Sequence, residues 1–239
     1  MLLKEFFSGP DNCTQITAEQ GSLFAKEIAG DFNPLHDIDS KRFCVPGDLL
    51  FSIVLEKYGL SKKMNFNFTG MLGHGITLDF PETDDDHIEI VGSNEKTILK
   101  VERSGKISTD NSMIDALIRD YVAFSGHNFP YVLVPLMKEQ NGMINLSRPL
   151  VMYDSMCLEF EHLNFTHPKV EMLDPELSVN GKRGDAHLHF QIKSDDEVVG
   201  RGFKKIIISG IRNFEEEPMQ AFVDEYLSRK EAYLESVES

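Results

Sequence analysis

A chain of 239 residues, 41% apolar and 26% charged, has room for one large domain or two small units sharing a core. Its formal net charge of −15 is spread along its length: residues 1–110 carry 11 basic and 18 acidic side chains, the remainder 13 and 21. Such a surface repels phosphate backbones and anionic lipid, which excludes nucleic acid and membrane surfaces as expected partners.

The first residues, Met1-Leu2-Leu3-Lys4-Glu5-Phe6-Phe7, are too short a run for a signal-peptide core, and no apolar run is long enough to span a bilayer. Cys13, Cys44 and Cys157 are odd in number and far apart. They suit neither a disulfide framework nor a paired-cysteine metal site, and a cytoplasmic location is expected.

Thr17-Ala18-Glu19-Gln20 is a capping-box start, Leu23, Phe24 and Ile28 follow at helical spacing, and Gly30 suits a helix end, so a helix is expected over about 17–29. Asn33-Pro34 then marks a turn. After Pro46-Gly47-Asp48 the residues Leu49 to Tyr58 are apolar on nearly every face, the pattern of a buried helix. Alternation around Phe66 and Phe68, and around Ile76, Leu78 and Phe80, predicts strands, and 87–91 with 97–103 predicts a hairpin.

The unit then begins again. Residues 112–124 have helical spacing, Gly126-His127-Asn128-Phe129-Pro130 parallels Gly30-Asp31-Phe32-Asn33-Pro34, and a short apolar helix with Pro135 is expected near 130–138. Strands are expected near 156–165, 186–193 and 197–209. Glu215-Glu216-Glu217-Pro218 opens a last helix whose stripe of Met219, Phe222, Val223 and Tyr226 should dock on the body, with partner binding as the other use of such a face. A helix that is apolar all round needs a sheet curled about it, and two such units hide sheet edges by pairing. The division expected is 1–108, 109–212 and an acidic helix at 213–239.

Ala29-Gly30-Asp31-Phe32-Asn33-Pro34-Leu35-His36 contains Gly-Asp-x-Asn-Pro-Leu-His, which resembles the signature of (R)-specific enoyl-CoA hydratases, the MaoC-like branch of hot dog proteins. Arg42-Phe43-Cys44-Val45-Pro46-Gly47-Asp48-Leu49-Leu50 suggests an uncharacterised subfamily of that group. The resemblance implies an α+β double hot dog fold, two antiparallel sheets each wrapped round a central helix. It implies a hydro-lyase that adds water syn across a 2-enoyl thioester of CoA, with no cofactor, and it allows a homodimer.

Asp and His side chains brought into one cleft can hold one water and pass two protons. The resemblance gives Asp31 and His36 those catalytic roles without saying which takes which. Asn33 is the supporting residue, able to hydrogen-bond the turn or steady the carboxylate. The Gly47 backbone N–H, at a helix start, is the implied donor to the developing oxyanion. Lys41, Arg42, Lys62 and Lys63 are the basic pairs available to a CoA phosphate. Typical members carry His-Gly where this chain has Pro46-Gly47, and Asp48 adds a negative charge there.

Each residue also has a plain structural reading: Asp31 as a turn residue, His36 as a solvated loop histidine, Gly47 as a packing contact, the lysines as solvated surface. His187 and His189, with Asp185 in line, share a strand face and read as polar surface before metal ligands. Gly70, Gly73 and Gly75 form no dinucleotide fingerprint. His127, in the second unit, has no acidic partner nearby in sequence and should not react. Acyl-CoA thioesterase action and acyl-thioester binding without catalysis are the alternatives to hydration.

Overall fold

The computed structural model describes residues 2–10 and 12–237. Thr17 opens α1 (Ala18–Phe24) with both bonds of a capping box: its hydroxyl accepts the Gln20 N–H, and the Gln20 side chain accepts the Thr17 N–H. The helix runs on as a π turn, Ala25–Ala29, and stops at Gly30, whose φ of +62° is left-handed. α2 (Gly47–Tyr58) is buried from Asp48 to Leu55, as its apolar circumference requires.

The first half supplies β1 (Cys13–Gln15), β2 (Leu60–Phe68), β3 (Thr77–Asp79), β4 (His87–Gly92) and β5 (Thr97–Ser108). The second half opens on α3 (Asn111–Gly126), α4 (Asn128–Tyr131) and α5 (Leu133–Glu139), with Pro135 in the first turn of α5. Then come β6 (Gly142–Met143), β7 (Val151–Phe160), β8 (Lys169–Asn180), β9 (Arg183–Ser194), β10 (Glu197–Ser209), β11 (Arg212–Asn213) and α6 (Glu216–Val237).

One antiparallel sheet takes nine of these strands, in the order β1-β3-β4-β5-β2-β7-β10-β9-β8, and β6 pairs with β11 apart from it. The halves join at the β2–β7 seam, from Lys63 opposite Glu159 to Asn67 opposite Ser155. The seam removes two edges: the sheets of the two units pair edge to edge, as expected, into one continuous sheet. α2 sits in the larger core with Phe66, Leu99 and Val101, and α3 joins that core through Leu117 and Tyr121. α5 anchors a smaller core with Leu177, Leu188 and Ile206, against which Phe222 and Val223 of α6 pack. Helices held within a long antiparallel sheet make this an α+β double hot dog fold.

Several strands differ from expectation: β7 begins earlier, at Val151, and β8 and the short β1, β6 and β11 are additional to those expected. Asp174-Pro175 breaks the alternation of β8, and the pairing of β8 with β9 slips register between Met172 and Pro175. Among the described residues, no helix is long and apolar enough to cross a membrane.

Candidate active site

The expected turn assembles from its own residues. The Asn33 side chain accepts the Leu35 N–H at 3.1 Å and so caps the short 3₁₀ turn Pro34–His36. The Asn33 N–H donates to Asp31 Oδ1 at 3.0 Å. The turn aims Asp31 and His36 at one place: His36 Nε2 lies 3.7 Å from Asp31 Oδ2. His36 Nδ1 is 2.6 Å from the Cys44 carbonyl oxygen. A carbonyl only accepts, so Nδ1 carries the hydrogen and the lone pair of neutral His36 is on Nε2, facing Asp31.

Asp31 Oδ1 is further occupied by a residue from the far end of the chain. The Tyr226 hydroxyl, on α6, donates to it at 3.2 Å and accepts the Phe32 N–H at 3.1 Å. Burial, with the Asp31 charge beside it, holds the Tyr226 phenol far above its ordinary range, so it remains a donor. With Oδ1 accepting two hydrogen bonds, Oδ2 is the oxygen left toward His36.

These groups line a cavity of about 260 Å³ between the two halves, closed on one side by Phe222 and Tyr226 of α6. Ala29 and Gly126 bring the two parallel turns together: a Cβ on Gly126 would stand 1.9 Å from the Ala29 carbonyl oxygen. Gly47 lines the same cavity. A Cβ there would lie 2.9 Å from the Tyr153 ring, so the packing reading of Gly47 has a physical basis. Its backbone also bears on the cavity. Leu49 and Leu50 N–H groups turn back to the Pro46 carbonyl, while no described residue accepts the Gly47 or Asp48 N–H.

Asp48 does not open on the site as a bare charge. Its Oδ2 accepts the Ser125 hydroxyl at 2.5 Å and lies 3.8 Å from Lys204 Nζ, and Lys204 in turn donates to Ser125. Burial pushes the Asp48 carboxyl up and the Lys204 ammonium down, each opposed by the other's charge. Lys204 also stands 4.0 Å over the Tyr153 ring. Cys44 lines the cavity, but burial holds its thiol up at about 11, which keeps it protonated and poorly nucleophilic at neutral pH.

Other candidates lie elsewhere. Lys41 and Arg42 are exposed on the link between His36 and Pro46. Lys62 and Lys63 are exposed on β2, and Lys63 pairs with Glu159 at 3.4 Å. None of the four lines the cavity. His127 donates from Nδ1 to the Ala123 carbonyl at 2.6 Å and stacks on Tyr131, outside the cavity lining. His187 and His189 alternate with buried Ala186, Leu188 and Phe190, and Asp185 pairs with Arg183 at 2.9 Å. Among the described residues no cluster suits a metal ion. Gly70 lines the cavity, whereas Gly73 and Gly75 do not.

Sequence reasoning missed Tyr226, Ser125 and Lys204 as site residues. Lys204-Lys205 carried a signal, because adjacent residues in a strand face opposite ways and one lysine had to point inward. Tyr226 carried another, since a tyrosine in a docking stripe brings a hydroxyl that needs a partner.

A family model described as a protein of unknown function, DUF3581, matches residues 1–217. No curated protein matches the chain. Among solved structures, a Chloroflexus aurantiacus protein described as a MaoC domain dehydratase is similar at a TM-score of 0.47 and 10% identity, over 85% of this chain and 94% of that one. An acyl-CoA thioesterase II from Mycobacterium marinum is similar at 0.44 and 10%, over 90% and 99%. A conserved hot dog protein of unknown function from Alicyclobacillus acidocaldarius is similar at 0.45 and 9%, over 85% and 95%.

Proposed function

The chain belongs to the DUF3581 family, and we propose that it adds water to, or removes it from, an acyl thioester of CoA, with Asp31 and His36 as the catalytic pair. One observation carries this reading: Oδ2 of Asp31 and Nε2 of His36 face each other 3.7 Å apart, each the free heteroatom of a side chain whose other heteroatom is tied down. That separation is too long for a hydrogen bond between them and suits a water that donates one hydrogen to each.

In the proposed reaction the 2-enoyl thioester enters the cavity with its carbonyl oxygen at the Gly47 N–H. As the water oxygen bonds to Cβ, His36 Nε2 takes its proton, and the electron pair of the double bond moves toward the carbonyl oxygen. The imidazolium forms beside the Asp31 carboxylate, which favours His36 over Asp31 as the base. The same proton then passes to Cα from the same face, so the addition is syn and no cofactor enters the balance. The N–H of the first turn of α2 stabilises the enolate oxygen. Lys41 and Arg42, on the link that leads into the cavity wall at Cys44, are the proposed contacts for a CoA phosphate, ahead of Lys62 and Lys63.

The test is a paired assay of the purified chain on short 2-enoyl-CoA substrates, following loss of the conjugated absorbance beside release of free thiol. Hydration without thiol release is expected. Thiol release alone would overturn hydration in favour of thioester hydrolysis, with water aimed at the carbonyl, and saturable binding without either would leave a binding protein.

A further inference from the structure

Lys204, Asp48 and Ser125 make no hydrogen bond to Asp31 or His36 among the described residues, although Asp48 and Lys204 both feel the Asp31 charge. A pocket built for a plain hydrocarbon chain is lined by apolar side chains, and most of this cavity is, through Leu50, Phe68, Leu72, Val151 and Ile206. Yet these three polar groups, from α2, α3 and β10, also line it, although Lys204 and Ser125 are only 6% exposed and Asp48 9%. Placing two ionisable groups there is costly, and the cost recurs unless something uses them.

What the cluster leaves unused defines what it would hold. Lys204 has three N–H groups, spends one on Ser125 and turns its ammonium over the Tyr153 ring at 4.0 Å, while Asp48 Oδ2 lies beyond hydrogen-bond length at 3.8 Å, so at least one donor is left. Asp48 Oδ1 has no hydrogen-bond partner among the described residues and is sealed from water, so a small turn of the carboxylate is needed to bring it to a ligand. The cluster therefore retains a donor and an acceptor together. A carboxylate on the ligand accepts only and would face Asp48 and Asp31. An ammonium donates only and would face Lys204. A hydroxyl accepts from Lys204 and donates to a carboxylate, at no cost in net charge. The space is limited as well: about 260 Å³ compares with the roughly 150 Å³ that holds one benzene, so the chain that reaches this wall is short.

We propose that Lys204, Ser125 and Asp48 form an acyl-chain subsite that selects short thioesters bearing a hydroxyl beyond C3, remote from the bond that is hydrated. This rests on the thioester reading above and adds its substrate class. A stitch between α2, α3 and β10 would serve the fold equally well away from the cavity; this one opens on it.

The test is calorimetric binding of butyryl- and hexanoyl-CoA against their terminally hydroxylated counterparts, as thioether analogues that cannot turn over. The full chain, Ser125→Ala and Asp48→Leu/Lys204→Met are compared, with folding checked by circular dichroism. The double variant removes both charges, so neither is left buried alone. The full chain should bind at least one hydroxylated analogue about tenfold or more tighter than its plain partner, the worth of a hydrogen bond to a charged group. That preference should shrink in Ser125→Ala and vanish in the double variant. Equal or weaker binding of the hydroxylated analogues by the full chain overturns the subsite and leaves the thioester reading standing. Binding of neither series overturns both. A preference that persists unchanged in a folded double variant overturns the assignment to these residues.

Discussion

Lys204 and Asp48, from opposite halves of the chain, are joined through the hydroxyl of Ser125 in the wall of the cavity. Removing one member strands the other in a buried setting. Lys204→Met should therefore lose about 3–5 kcal/mol of stability in denaturant melts, and Asp48→Leu/Lys204→Met should recover most of it. Burial raises the Asp48 carboxyl above its ordinary value of 3.8, so the folded state holds that proton more tightly than the unfolded chain does. Its contribution is present below 3.8 and is lost as pH rises through the higher folded value. The stability of the protein relative to Asp48→Asn should accordingly grow as pH falls from neutral toward 3.8, and a flat difference would contradict the sign.

His36→Ala, which removes the acid–base group, and Asp31→Asn, which removes the charge that holds the water and stabilises the imidazolium, should each lose about 10²–10⁴-fold in hydration rate while keeping the native circular dichroism and melting behaviour. Near-normal turnover in either variant would remove that residue from the catalytic pair.

Tyr226→Phe deletes the donor to Asp31 Oδ1 and the acceptor of the Phe32 N–H together. About 1 kcal/mol of stability should go with them. The Asp31 carboxylate then turns more freely, so kcat should fall by about tenfold with KM little changed, the pattern of a lost positioning contact. A fall in stability with kcat intact would reduce Tyr226 to a docking residue.

His127→Ala should leave activity within a few fold of the parent, and titration with a tight acyl-CoA analogue should saturate at about one per chain. His127 is spent on Ala123 and Tyr131, outside the cavity. Two equivalents bound, or a loss matching that of His36→Ala, would show that the second turn reacts too.

The motif and its local frame were legible in the sequence because they are local. Thr17 with Gln20, the left-handed Gly30 and the Asn33 cap are each made within a few residues, and the apolar circumference of α2 announces its burial. What lay hidden depends on long-range meetings. The sequence shows Asp48 as a charge at a helix start; only the crossing of α3 and β10 supplies Ser125 and Lys204 to absorb it. β8 escaped notice because Asp174-Pro175 interrupts the alternation on which strand recognition depends, and the sheet accommodates the pair by a register slip. Tyr226 was placed on the docking face of its helix, but nothing local names Asp31 as its partner.

The bond from Tyr226 to Asp31 spans 195 positions of the chain, and that separation sets an order in time. During synthesis the turn that holds Asp31 and His36 leaves the ribosome before α6, and its caps need nothing further downstream. The hydroxyl that fixes the carboxylate arrives only with α6, after the strands and helices between them have been made. A nascent or C-terminally clipped chain thus carries the whole motif before it has a finished site, and the arrival of α6 is the step that completes it.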